Sequence, residues 1–295
     1  WQTTLLCFVV CCLRSAAKPI GDLRLSLKQM DNAIYAKSKM ETPVIKPPKG
    51  RQYKVKQSRY KALADVNPCR CIVLGSSGAG KDVWLTSFFT DIMKGAYEKL
   101  YWFSPSCDVD HQMVHIKRFV EEELHTPITE KWCFAEWNPE EMWKIMDKQK
   151  DVVEDIKKKG LTYSVPGIAV VINDWADRAD ITHANNNPIT SSFIRARHWG
   201  QSTYVVSQKL ALISPSIRVN CTHMCVMKMS STQCIKLFCE EFGALAGGAE
   251  NLQRIYEYAV NDQPYSFLWC NFRSADPRKI FMLRFEKYLN IEDIA

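Results

Sequence analysis

Seven consecutive residues carry the clearest chemistry in this sequence: Gly75, Ser76, Ser77, Gly78, Ala79, Gly80 and Lys81 satisfy the spacing G-x-x-x-x-G-K. Small residues let successive backbone N–H groups curl around a polyphosphate, a following helix N-terminus adds partial positive charge, and the Lys81 ammonium meets the outer phosphates. The bland alternative is a flexible Gly/Ser turn, which requires neither a buried strand before it nor a helix after it. Both flanks are predicted: residues 71–74 read as an apolar strand, and Val83, Trp84, Leu85, Phe88, Phe89, Ile92 and Met93 recur at helical spacing. One position departs from the pattern. Asp82 stands where a Ser or Thr hydroxyl normally binds Mg²⁺. A carboxylate ligates Mg²⁺ but repels nearby phosphate oxygens, so weak metal binding, an unusual coordination and a decayed site are each compatible with it.

Chemistry at such a loop needs an acid at the end of a neighbouring buried strand, holding Mg²⁺ directly or through water and helping to polarise the attacking water. The apolar run 168–172 followed by Asn173 and Asp174 meets that need, which makes Asp174 the candidate Walker B carboxylate. Asp177, Arg178 and Asp180 read as a surface loop. Residues 202–206 read as another core strand that delivers Ser207, Gln208 and Lys209 at its C-terminal end, the edge where open α/β sheets bind ligands. Gln208 is thus the candidate contact to a γ-phosphate or its attacking water, against the alternative of an ordinary loop residue.

The elements that position these residues alternate short apolar runs with amphipathic stretches, which predicts an α/β fold with a mostly parallel sheet. Further strands are expected at 100–103, 132–135, 224–229, 265–269 and 279–285. Helices are expected at 109–123, 139–159, 191–198, 233–242 and 252–260. Pro139 in the first turn, Lys157, Lys158 and Lys159 in the last, and Gly160 beyond them delimit the longest helix.

The chain has 295 residues with 46% apolar and 24% charged residues, which excludes a disordered chain. Its net charge of +7 is unevenly placed, since residues 1–70 hold 14 basic and 4 acidic residues. Residues 1–66 are therefore read as a basic, poorly packed arm whose natural partners are nucleic acid or anionic lipid, and 67–295 as the folded domain. The apolar run 5–13 resembles a signal h-region without a basic flank and is too short to span a bilayer, so an intracellular protein without stable membrane insertion is expected. Twelve cysteines are too sparse for a disulfide scaffold and are read as reduced thiols. Cys221, His223 and Cys225 lack zinc-site spacing and read as buried residues. No Ser/His/Asp triad or H-E-x-x-H helix is present. The nine tryptophans are read as core.

Gly75 to Lys81, the 168–174 run and the stretch 195–209 (R-A-R-H-W-G-Q-S-T-Y-V-V-S-Q-K) together resemble the viral genome-packaging ATPases of the poxvirus and giant-virus type, in the FtsK/HerA branch of P-loop motors. The similarity continues through 213–220 and 265–268 and covers roughly residues 67–285. It implies a RecA-like core that assembles as a homo-oligomeric ring, hydrolyses ATP with Mg²⁺ between subunits and drives double-stranded DNA into a capsid, with capsid or portal proteins as partners and a viral-factory or virion location. It assigns phosphate binding to Lys81, the acidic pair to Asn173 and Asp174, the polar sensor to Gln208, and a trans-acting arginine to Arg197 or Arg218. Asn173 departs from the family, which has an acid there; with Asp82 it makes two changes that touch the metal, as compensation or as decay in a genome-integrated copy. Two other functions stand beside the motor: a non-catalytic nucleotide-binding ring subunit, and a small-molecule P-loop kinase with residues 183–188 as a lid.

Overall fold

Nine strands join into one sheet among the described residues of the computed structural model, which cover 53–294 except 64, 109, 110, 112, 128, 161–163 and 176–186. β1 (Arg70–Leu74), β2 (Lys99–Phe103), β3 (Cys133–Phe134), β4 (Ile168–Ile172), β5 (Gln201–Ser207) and β6 (His223–Met227) run parallel. β7 (Phe267–Asn271), β8 (Phe281–Leu283) and β9 (Lys287–Tyr288) extend the sheet as an antiparallel meander, giving the order β3-β2-β4-β5-β1-β6-β7-β8-β9. The parallel strands are apolar without alternation because both faces are covered. In β1, Ile72 and Leu74 join one core cluster and Cys71 and Val73 the other.

The helices are α1 (Lys81–Ser87), α2 (Met113–Arg118), α3 (Pro139–Lys159), α4 (Pro188–Arg195), α5 (Pro215–Val219), α6 (Thr232–Phe242) and α7 (Ala249–Asn261). α1 and α2 each continue into a π-type segment, Phe88–Ile92 and Phe119–Glu123. α3 has the predicted bounds: Asn138 accepts from the N–H groups of Glu140 and Glu141, Pro139 opens the first turn, and Gly160 closes the helix at φ 63°. Its buried Gln149 donates to the carbonyls of Pro166 and Trp199, which ties the helix to the chain entering β4 and β5.

Residues 1–52, with the apolar run 5–13, lie outside the described residues, as do 176–186 with Asp177, Arg178, Asp180 and most of the expected kinase lid. Four expectations are corrected. Residues 53–66, read as arm, pack on the domain: Leu63 and Val66 are buried, Ser58 Oγ donates to the Ile92 carbonyl, and Asn67 Nδ2 donates to the carbonyls of Lys56 and Ala96. The acid-bearing β4 is not beside β1; β5 lies between them. β7 begins at Phe267, two residues later than expected, because Tyr265 sits at φ 62° in the turn before it. Cys107 and Cys133 form a disulfide, because Cys107 follows β2 and Cys133 opens the neighbouring β3. The seven other described cysteines are free and buried, Cys221 and Cys225 among them. Trp84, Trp102, Trp175 and Trp269 are buried, as expected of core tryptophans, and no helix among the described residues is long and apolar enough to cross a membrane.

Candidate active site

The loop Gly75–Lys81 emerges from β1 at the C-terminal edge of the parallel strands, and both neighbouring strands hold its start. Gly75 N–H donates to the Ser207 carbonyl at the end of β5, and Ser76 N–H donates to the Lys228 carbonyl just past β6. Ser230 N–H donates to Ser76 Oγ at 2.8 Å, adding a side-chain clamp. Gly75 is required by close approach, since a Cβ there meets Met227 Cβ at 2.9 Å. Gly80 is required twice over: its φ is 96°, and a Cβ would lie 3.0 Å from the ring of Tyr265.

Lys81 opens α1 and is buried. Its ammonium donates to the carbonyls of Gly75 (2.9 Å) and Ser76 (3.0 Å), so the loop curls around its own lysine. Burial pulls its pKa below the ordinary lysine value, opposed by the nearby carboxylates of Asp174 and Asp82. That opposition brings Lys81, Asp82 and Asp174 into one electrostatic neighbourhood.

Asn173 is buried beyond the end of β4, its N–H donating to the Phe103 carbonyl of β2. The exposed Asp174 follows at φ 59°, a left-handed conformation that costs a non-glycine residue about 1 kcal/mol and that Asp tolerates better than most. The two departures from the motif meet: Asn173 Nδ2 donates to Asp82 Oδ1 at 3.2 Å. This pairing fixes the amide orientation, because the reverse places two acceptors together. Asn173 Oδ1 is then buried without a hydrogen-bond partner among the described residues.

Gln208 is exposed at the C-terminal end of β5, between the strands bearing the loop and the acid. Ser207 Oγ fixes this turn by accepting from Lys209 N–H. Arg218 is held within its own chain: its guanidinium pairs with both carboxylate oxygens of Glu241 at 2.7 and 2.8 Å and donates to the Ile213 carbonyl. Arg197 is exposed in the turn Ala196–Trp199 that enters β5 at the opposite edge of the sheet from Gly75.

Sequence reasoning missed two partners of the loop, Ser230 and Tyr265. Nothing in the sequence signals Ser230, whose role depends on β6 lying beside β1. Tyr265 follows the turn-forming run Asn261, Asp262, Gln263 and Pro264, which was evidence for a later strand start.

The donors around Lys81 are all oxygens: the carboxylates of Asp82 and Asp174 and the unpartnered Asn173 Oδ1. They fit a hard divalent cation such as Mg²⁺, which takes one or two carboxylates and completes its shell with phosphate and water.

No protein-family model matches the chain, and no curated protein matches it. Among solved structures, the chain is similar to the genome packaging NTPase B204 of Sulfolobus turreted icosahedral virus 2 in complex with AMP, at 14% identity and a TM-score of 0.48 over 76% of this chain and 99% of that one. It is similar to the DNA-packaging ATPase B204 of Sulfolobus turreted icosahedral virus, at 12% identity and a TM-score of 0.46 over 73% and 96% of the two chains. It is also similar to the pCW3 conjugation coupling protein TcpA, at 14% identity and a TM-score of 0.47 over 78% of this chain and 65% of that one.

Proposed function

We propose that this chain is a RecA-like P-loop ATPase that hydrolyses ATP with Mg²⁺ and translocates double-stranded DNA into a viral capsid. One observation carries the ATPase reading: the Gly75–Lys81 loop, the Lys81 ammonium, the Asp174 carboxylate and Gln208 share one sheet edge, on or between strands β1, β5 and β4. The loop amides bind the β- and γ-phosphates, and Lys81 exchanges its two carbonyl acceptors for phosphate oxygens. Gln208 orients the attacking water, and Asp174 polarises it. Asp82, Asn173 Oδ1 and Asp174 would hold Mg²⁺, whose charge would neutralise the phosphates.

The sequence resemblance and the basic residues of the N-terminal segment support double-stranded DNA as the cargo, held through phosphates with little sequence preference. A homo-oligomeric ring follows from the same reading, with Arg197 supplied to a neighbouring subunit, since Arg218 is tied to Glu241. Capsid or portal proteins are its proposed partners, and a viral factory or virion its proposed location.

A second reading, a nucleotide-binding ring subunit that does not turn over ATP, is favoured by the Asn173–Asp82 hydrogen bond, which draws one metal-binding carboxylate into an internal contact. Steady-state ATP turnover with and without double-stranded DNA separates the two. The motor predicts DNA-stimulated hydrolysis that Lys81→Ala abolishes; ATP binding without such hydrolysis selects the second reading.

A further inference from the structure

On the β7 side of the phosphate loop an apolar groove of about 490 Å³ opens beside Gly80, lined by Val83, Trp84, Tyr265, Phe267 and Phe285. It falls in the size range of small-molecule sites. Its walls show two features that packing within the chain does not account for. Tyr265 is 73% exposed, yet its ring lies against Gly80 and its backbone is held at φ 62°. Val83, one turn into α1, leaves its side chain 56% exposed. Trp84 closes the groove from the core side, 7% exposed and stacked on Phe88 with ring centroids 4.5 Å apart. Arg284 closes one end with its guanidinium held by Asp262, Glu286 and Ser266, so that end is fixed rather than adaptable.

The topology gives a bound nucleotide a direction. The acid and the polar sensor, Asp174 and Gln208, follow β4 and β5 on one side of β1, so the terminal phosphate faces that side. β6 and β7 lie on the other side of β1, and β7 starts opposite the end of β6, which brings Tyr265 to the same sheet edge as the loop. The groove and the phosphate loop share Gly80, with no element between them.

We propose that this groove is the base subsite of the nucleotide site, taking the purine of ATP against the face of Tyr265 and the ribose over Val83. This inference rests on the phosphate-loop reading and adds the residues that hold the other end of the same ligand. An aromatic face stacks any base, so Tyr265 supplies affinity for the base and little discrimination among bases.

The test is calorimetric titration of the full chain with ATP and, separately, with inorganic tripolyphosphate, both with Mg²⁺, in the parent, Tyr265→Ala and Tyr265→Phe. The expected result is a loss of about tenfold or more in ATP affinity for Tyr265→Ala. Tripolyphosphate affinity stays within about twofold, which also shows that the variant is folded, and Tyr265→Phe retains ATP binding. Equal losses for ATP and tripolyphosphate, no loss for either, or an ATP loss in Tyr265→Phe as large as in Tyr265→Ala each overturn the base subsite alone. A parent chain that binds neither ligand overturns the phosphate-loop reading itself, and the subsite with it.

Discussion

Replacing Asn173 by Asp sets two carboxylates about 3.2 Å apart where an amide N–H now meets Asp82. At an effective dielectric of 20 that repulsion is about 5 kcal/mol. Asp82 is only partly buried, so screening reduces the expected destabilisation to about 2–3 kcal/mol. Asp82→Ser alone weakens the acceptor of a buried amide and costs about 1–2 kcal/mol. In the double variant the introduced serine hydroxyl donates to the introduced carboxylate, and the combined cost falls below about 1 kcal/mol. The pair should thus show a coupling energy of about 3 kcal/mol in a double-mutant cycle by urea unfolding without metal. Mg²⁺ with ATP should restore Asn173→Asp more than it stabilises the parent, since a cation between two carboxylates removes their repulsion. Additivity within about 0.5 kcal/mol would mean that Asp82 and Asn173 do not act as a unit.

Three further outcomes follow from the geometry. Gly75→Ala drives a Cβ into Met227 and should destabilise the fold or abolish ATP binding, whereas Gly78→Ala enters open space and should cost only the left-handed backbone penalty of about 1–2 kcal/mol, both read by thermal unfolding with and without ATP. Burial, with Arg273 and Arg70 nearby, pushes the His223 imidazole down to about 3 from an ordinary 6.5, so between those values the unfolded chain binds a proton that the folded chain does not. The resulting stability is full above 6.5 and is lost as pH falls toward 3, with a slope of up to about 1.4 kcal/mol per pH unit that His223→Met should remove from the unfolding free energy. Reducing the Cys107–Cys133 bond, which closes a loop of 26 residues, should lower stability by about 3.5 kcal/mol, measured as denaturation with and without dithiothreitol.

The parts legible in the sequence were those fixed by local physics. The strand, glycine loop and helix around Lys81 announce themselves by apolar runs, small residues and helical period, and α3 by Pro139, its three closing lysines and Gly160. Both ends of the acid strand were readable because β4 is buried on both faces and has no polar interruption. What depended on long-range pairing was not legible. The insertion of β5 between β1 and β4 leaves no trace in either strand. The contact between Asp82 and Asn173 joins residues 91 positions apart, so two separate departures from a motif could not be seen as one hydrogen bond. Residues 53–66 looked like arm because their few apolar residues show no period, yet Leu63 and Val66 suffice to anchor them. Cys107 and Cys133 are 26 residues apart, and only the pairing of β2 with β3 brings them together.

That the loop ending in Lys81 grips nucleotide phosphates is tested by titrating the full chain with ATP and Mg²⁺ beside Lys81→Ala. The parent should bind ATP at one site per chain. Lys81→Ala, with an unchanged circular dichroism spectrum, should bind about tenfold or more weakly, as expected for a lost charged hydrogen bond. Equal affinity in the two proteins, or no heat of binding in the parent, would contradict it.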